Sequence, residues 1–384
     1  MKIGIIGNYG HNNNGDEAIL TGILKQLIEE LSIPNEDIIV FSNNPKDTEQ
    51  RYGVRAVPIF HRKGPLPFSI MKTLKENYLI MRNLDVIIVG GGGILMDLYK
   101  WDGPLYATLG LLGHYAGCKV IVYGVGVGPI ETKLGAFFIK QLSQKACCIS
   151  VRDEQSKRLL QALGVKRDIH VIGDPALYLA APNEKQESHF VQKVAVTAVP
   201  YYNGKYWPTS NEQKYSNYVT GMAKNLDQLI EKKNVAVTFF STKYPQDVQV
   251  TKDIAALMKH RDRVTIIDKN LHPNDIVSLC ASHDLVIGTR LHSLILAVVA
   301  RTPIIGIGYH PKVYHFLSLI RQTDRYVSVE TLGMEPASIV QIVEKMEKKW
   351  LDIQRETRQI AEQMKEKAGE GIELLRLSGE KHVR

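Results

Sequence analysis

Short runs of apolar and β-branched residues recur along the first half of the chain at 2–6, 38–41, 55–59, 85–89, 119–123, 147–151 and 170–172. Helical patterns lie between several of them, notably over 16–31 and 154–163. That alternation is expected of a mostly parallel sheet covered on both faces by helices. A polar stretch over 181–189 (APNEKQESH) interrupts the rhythm and reads as a linker. The pattern then restarts, with strands expected at 193–198, 235–240, 263–267, 284–287 and 303–307 and helices at 211–232, 246–259, 274–281 and 291–300. Beyond Met334, Ile342, Met346, Trp350, Ile353, Ile360 and Met364 share one face of a long helix, expected to pack on the protein body and to fray near Gly369 and Gly371.

The pattern therefore predicts an α/β chain of two Rossmann-like domains facing across a cleft, over 1–180 and 190–334, followed by a helical tail over 335–384. Ligands of doubly wound sheets bind beyond the carboxyl ends of the strands, so informative residues should lie there. A chain of 384 residues has room for two such domains.

Charge narrows the partners. The formal net charge of +8 favours acidic ligands such as phosphorylated metabolites, anionic head groups or nucleic acid. The concentrated basic stripe that nucleic acid needs is missing, since 340–384 holds 10 Lys/Arg against 9 Asp/Glu. A small anionic molecule is the better reading. The four cysteines (Cys118, Cys147, Cys148, Cys280) form no CxxC pair, and Cys147 and Cys148 are expected in a buried strand, as in a reducing cytoplasm. The strand expected at 2–6 leaves no room for a signal peptide before it. The most apolar long window, 285–308, is broken by Arg290, His292 and Arg301 and does not read as a membrane span. A cytoplasmic protein that visits a membrane surface is expected.

Several strand ends carry candidate chemistry. Gly7 to Ala18 (GNYGHNNNGDEA) links the first strand to a helix whose N-terminal amides would attract an anion. Asn14, Gly15 and Asp16 are the candidates there. The structural alternative is a loop in which Asp16 caps the helix. The spacing matches neither G-x-G-x-x-G nor a P-loop. Gly90 to Asp97 (GGGGILMD) follows a buried strand, and Gly91 and Gly92 would let backbone approach a substrate. Gly124-Val125-Gly126-Val127-Gly128 fits close packing as readily as binding.

Arg152, in SVRDE, offers a planar fork for a carboxylate or phosphate, or pairs with a neighbouring acid. In GTRLHS, Arg290 and His292 stand at the start of an apolar helix. A buried arginine there requires an anionic partner, and His292 beside it suits acid/base work. Lys312, after GIGYHP, is a further phosphate ligand or an exposed lysine. The absence of D-x-D, HExxH and G-x-S-x-G leaves a metal-independent enzyme working on a phosphorylated donor, with no cofactor.

Together the segments GNYGHNNNGDEAIL, DVIIVGGGGILMD, GVGVGP, SVRDE, GDPAL, GTRLHSLILA and GIGYHPKV, in order over residues 1–313, resemble the polysaccharide pyruvyl transferase family. The N-terminal loop departs from it, carrying Asn12-Asn13-Asn14 where F-G-N-T is more usual. The resemblance implies a fold like that of GT-B glycosyltransferases and transfer of pyruvate from phosphoenolpyruvate onto two sugar hydroxyls as a cyclic ketal. It makes Arg152 and Arg290 ligands of the donor's phosphate and carboxylate, and His292 the essential histidine. The acceptor sugar could be carried on a polyprenyl pyrophosphate at the membrane face, which a basic surface would suit. Two other readings stay open: a metal-independent glycosyltransferase using a nucleotide sugar, and a sugar-binding module without activity.

Overall fold

The computed structural model describes residues 1–96, 102–181, 185–207 and 209–379. Asp97 of the glycine-rich motif, three residues of the expected linker and the last five of the tail lie outside them. The chain divides into two compact units. One holds Met1–His11, Asp16–Leu179 and the described residues from Met364 on; the other holds Asn12–Gly15 and Ala180–Gln363. The division thus departs from the expected boundaries at the N-terminal loop and along the tail.

In the first unit, β1 (Ile3–Ile6), β2 (Ile38–Ser42), β3 (Arg55–Pro58), β4 (Val86–Gly90), β5 (Lys119–Val125), β6 (Cys148–Val151) and β7 (His170–Val171) form one sheet in the order β3-β2-β1-β4-β5-β6-β7. All neighbours run parallel. Ile5, Ile6, Ile87, Ile88 and Val89 have no accessible surface, which explains why these strands are apolar at every position. The order reverses between β1 and β4, whose register (Ile6 opposite Val89) brings Gly7 and Gly90 out at the same edge. That edge is the sheet's topological switch point.

The second unit repeats the plan with β8 (Lys193–Thr197), β9 (Ala236–Phe239), β10 (Val264–Ile266), β11 (Leu285–Gly288), β12 (Ile304–Gly308) and β13 (Tyr326–Ser328), in the order β10-β9-β8-β11-β12-β13. Its switch point lies between β8 and β11, where Gly288 pairs with Thr197. The edge strand β13 was not expected: it is three residues long, and only Val327 among them is buried.

The tail divides. Ile339, Val343, Met346 and Trp350 enter the second unit's core, so the helices Ser338–Glu347 and Trp350–Gly369 start as part of that unit. The expected face is only partly right, since Ile342 and Ile353 stay half-buried at its margin. The tail does not fray at its glycines. After Gly369 a new helix, Gly371–Gly379, docks on β5 and β6 of the first unit. Gly371 makes this possible, because a Cβ there would stand 2.2 Å from the Tyr123 hydroxyl. Gln26 completes the joint: its Nε2 donates to Ala368 O (3.0 Å), and its Oε1 accepts from Tyr123 (2.7 Å).

A second correction concerns the cysteines. Cys147 is exposed and Cys148 half-buried, because Cys147 precedes β6 and its neighbour is the strand's first residue.

Candidate functional site

In the first unit the loop after β1 is fixed by its own polar residues. Tyr106 donates to Asn8 Oδ1 (3.0 Å), and Asn8 Nδ2 donates to Asp16 Oδ2 (2.8 Å). Glu17, 2% exposed, accepts from Gly10 N (2.8 Å) and Tyr52 Oη (2.7 Å). Burial raises the Glu17 carboxyl above its ordinary value, while those two bonds pull it back. The helix Asn14–Lys25 starts two residues before Asp16, so Asp16 sits inside its first turn rather than capping it.

The glycines after β4 face this helix. Gly91 and Gly92 both have left-handed backbone, at φ +70° and +69°. A Cβ on Gly91 would stand 1.7 Å from Ile19 Cγ2, and one on Gly92 would stand 2.7 Å from Asp16 Oδ1. Gly91 N donates to Tyr123 O and Gly92 O accepts from Gly126 N. Gly92 is thus what lets the Asp16 carboxylate lie against the loop.

Gly126, which fitted packing or binding equally, lies under Arg152: a Cβ there would stand 2.7 Å from the guanidinium carbon. Arg152, its side chain 13% exposed, leaves the end of β6 between two carboxylates. Its Nε donates to Asp153 Oδ2 (3.1 Å), and its Nη1 is 3.8 Å from Asp174 Oδ2. Asp153 also caps the helix Glu154–Ala162 through Ser156 N. Asp174 caps the turn Pro175–Tyr178 through Ala176 N. The clamp is therefore built on fixed backbone.

In the second unit, three buried hydroxyls knit the switch point together. Thr289 N donates to Thr197 Oγ1 (3.2 Å) and Thr289 Oγ1 to Thr197 O (3.0 Å), while Thr197 Oγ1 and Ser293 Oγ share a bond of 2.8 Å. Ser293 Oγ also donates to Arg290 O (2.7 Å). These bonds set Arg290 as the N-cap of the apolar helix Leu291–Val299 and put His292 in its first turn, where the helix dipole favours anions.

The carboxylate that a half-buried Arg290 requires comes from the chain itself. Asp247, with no accessible surface, takes Arg290 Nε on both oxygens (3.2 Å each) and Nη2 on Oδ1 (2.5 Å). Burial works against the charge on Arg290, but Asp247 and the Tyr309 hydroxyl outweigh it and raise the guanidinium's pKa. Asp247 also accepts from Lys243 N (2.9 Å). Tyr309 follows β12, the next strand over, and the helix Pro311–Leu319 then brings half-buried Lys312, whose N donates to the capping His310.

The asparagine run belongs to this unit. Asn12 takes a left-handed conformation (φ 53°), its O accepting from Tyr244 N and its side chain from Asn270 Nδ2. Asn13 bridges to Lys243, and Asn14 N donates to Thr242 O (2.7 Å). The Asn14 side chain is fully buried, yet neither its Oδ1 nor its Nδ2 has a hydrogen-bond partner among the described residues. A buried amide in that condition costs stability unless a ligand or water completes it.

Gly15 stands against the imidazole of His292, where a Cβ would be 2.4 Å from Nδ1. Gly15→Ala is expected to keep the parent's unfolding midpoint within a few degrees, since alanine favours the helix, while pushing the ring by about 1 Å. Such a displacement slows a reaction that uses the ring by about 10²-fold. Steady-state turnover beside a melting curve checks this, and unchanged turnover would remove the ring from the chemistry.

The structure thus brings Asn14, Gly15, Arg290 and His292 into one unit, with Lys312 at its neighbouring strand end, and Asp16, Gly91, Gly92 and Arg152 into the other. Asp247, Asp174, Asn8, Tyr106 and Tyr309 were missed; Asn8, Asp174 and Tyr309 had a visible signal, since they lie in the GNYGHNNNGDEAIL, GDPAL and GIGYHPKV segments. Among the described residues no three or more His, Cys, Asp or Glu side chains gather as a metal would require.

Comparison with known proteins gives the family and the fold. The chain is 22% identical over 358 residues to the amylovoran biosynthesis protein AmsJ of Erwinia amylovora, covering 81% of this chain and 84% of AmsJ. Its fold is similar to that of Anabaena HepE, solved with UDP and glucose (TM-score 0.61, 13% identity, 98% of this chain and 99% of that one). It is also similar to the UDP-GlcNAc 2-epimerase of Neisseria meningitidis, solved with UDP-GlcNAc (TM-score 0.62, 11% identity, 98% and 99%). The fold is GT-B-like: two parallel-sheet α/β domains with a helical C-terminal tail. Residues 13–311 match polysaccharide pyruvyl transferases, a span that includes every candidate above except Lys312, one residue beyond it. The chain belongs to the polysaccharide pyruvyl transferase family, transferases of polysaccharide biosynthesis.

Proposed function

We propose that this chain moves pyruvate from phosphoenolpyruvate onto two hydroxyls of a sugar, in a cell-surface polysaccharide or its lipid-linked precursor, and closes a cyclic ketal. The observation that carries the reading is the second unit's switch point, where a carboxylate-held guanidinium and a glycine-backed imidazole occupy one helix N-terminus. Phosphoenolpyruvate bears a phosphate and a carboxylate. A guanidinium has five N–H donors, more than one carboxylate takes, so Arg290 can hold an anion while Asp247 keeps its plane fixed. Arg152 offers the same chemistry on its own fixed frame. The Asn14 amide supplies a donor and an acceptor suited to a substrate's polar groups.

The reaction then balances in two steps. His292 gives a proton to C3 as a sugar hydroxyl attacks C2, and that hydroxyl's proton returns to the imidazole. The second hydroxyl attacks C2, the C2–O bond to phosphate breaks, and phosphate leaves with the remaining proton. The Asp16 carboxylate, oriented by Asn8, is suited to bind an acceptor hydroxyl.

Thermal unfolding with phosphoenolpyruvate, UDP, GDP or inorganic phosphate, without added metal, tests the donor. A ligand at 100 times its Kd should add about 2.7 kcal/mol. Selective stabilisation by phosphoenolpyruvate, lost in Arg290→Ala, is the expected result. Stabilisation by a nucleotide diphosphate alone would replace the reading with a glycosyltransferase that uses a nucleotide sugar.

A further inference from the structure

The helix Leu66–Met81 in the first unit is amphipathic the wrong way round for a globular protein. Its buried face is Ser69, Thr73, Asn77 and Met81. The polar three are all bonded: Ser69 Oγ accepts from Lys63 N (2.8 Å), Thr73 Oγ1 from His61 N (2.8 Å), and Asn77 Nδ2 donates to Ile59 O (3.0 Å). Phe68, Met71 and Leu79 on the opposite face are 60%, 67% and 48% exposed, and Leu66, the first residue of the helix, is 61% exposed. A core-facing helix turns its apolar stripe inward; this one spends its inward positions on hydrogen bonds and presents the stripe to solvent.

Charge says what the stripe faces. From Arg62 to Arg82 the segment holds Arg62, Lys63, Lys72, Lys75 and Arg82 against the single acid Glu76. A basic, apolar-faced helix of this kind lies in the interface of an anionic membrane. The helix Asp102–Tyr115 packs beside it and beside the helix Lys133–Lys145. That third helix repeats the composition: Leu134 and Phe137 are 46% and 56% exposed, with three lysines and no acid. Both helices leave the carboxyl ends of strands, so Leu66, Phe68, Leu134 and Phe137 lie toward the sheet edge that carries Asn8, Asp16 and Arg152. Among the described residues no helix is long and apolar enough to cross a membrane, so the contact is one of surface docking.

We propose that this face of the first unit docks on an anionic lipid surface, with Leu66, Phe68 and Met71 entering the head-group boundary and Lys63, Lys72 and Lys75 meeting lipid charge. The inference goes beyond the reaction proposed above and does not depend on its donor. It would set the site's edge of the sheet at the membrane, where a lipid-carried sugar is presented.

The full chain sedimented with phosphatidylcholine vesicles, with and without a third of phosphatidylglycerol, tests the proposal. The parent chain is expected to pellet with the anionic vesicles at low salt and to be released at high salt. Lys63→Gln, Lys72→Gln and Lys75→Gln combined should weaken anionic binding by about fivefold per lysine. Leu66→Ser, Phe68→Ser and Met71→Ser combined should weaken it at least about tenfold. All six side chains lie on the outer face or its flanks, and a melting curve for each variant establishes that it folds. A parent chain that stays in the supernatant with anionic vesicles overturns the proposal, as does an apolar variant that binds like the parent. A parent dimer in analytical ultracentrifugation that the apolar variant dissociates, with vesicle binding unchanged, overturns it too, and makes the face a contact between copies of this chain.

Discussion

Asp247→Ala is expected to lower the stability of the second unit by about 3 kcal/mol, because it strands the Arg290 guanidinium without its counter-charge. The side chain of Arg290 is 21% exposed and that of Asp247 not at all, so the pair is inward enough for the loss to be large. The substitution also removes the acceptor for Lys243 N, and with it an anchor of the segment that holds Asn13 and Asn14. Urea unfolding followed by tryptophan emission reads the effect, since Trp350 lies in the second unit's core and Trp207, half-buried, packs against it.

A double-mutant cycle separates the pair from a general packing defect. Arg290→Met alone should cost at least as much as Asp247→Ala, because it strands the Asp247 carboxylate, the more deeply buried of the two charges. The two together should cost clearly less than the sum of the singles, with a coupling of about 2 kcal/mol. Additive effects would mean that the bond between Asp247 and Arg290 stabilises nothing beyond its separate contacts. The pairing matters for chemistry as well as stability. An arginine already neutralised binds an anion less avidly than a bare one but in a fixed orientation, and orientation is what a reaction at a single carbon needs.

Why Asp247 escaped a reading of the sequence is instructive. It is the second residue of the helix Gln246–Leu257, where an acid ordinarily serves the helix dipole, and its partner lies 43 residues away. Long-range pairs of this kind leave no local trace. The same holds for Tyr106, which donates to Asn8 from 98 residues away, while Asn8 reaches Asp16 within a single motif. By contrast, Arg152, Arg290 and His292 stand at the ends of apolar runs, and position along a strand is legible because parallel strands must be apolar throughout.

The glycines show the limit of the same logic. The four from Gly90 to Gly93 read as an approach route for a ligand, yet Gly91 and Gly92 are required by Ile19 and Asp16 of the neighbouring helix. Backbone freedom is visible in sequence, but what occupies the space beside it is not. The helix Leu66–Met81 was hidden for a related reason: its inward positions are Ser, Thr and Asn, so a search for an apolar inner stripe passes over it. The break at Lys348 and Lys349 falls between two stretches that enter the same core, and the last helix after Gly369 docks on the first unit, whereas periodicity alone gives one continuous face.

His292→Ala is expected to slow turnover by about 10²–10⁴-fold, the range lost when a positioned acid/base group is removed. Stability should change little, since the ring is only half-buried and its backbone is held by the Thr197, Thr289 and Ser293 bonds rather than by the ring itself. Under the proposed reaction the deficit belongs in kcat, with the thermal shift from phosphoenolpyruvate retained, because the reading gives the holding of the donor to a guanidinium and not to the ring. Two readouts separate the imidazole's roles. Phosphate release measures completed transfer, and deuterium at the product methyl, in D2O, reports the step in which C3 is protonated. A variant that keeps the donor-dependent shift while losing both signals makes His292 the proton carrier. A variant that recovers full turnover at high phosphoenolpyruvate makes the ring a donor-binding group, and the acid that protonates C3 must then be another residue of the site.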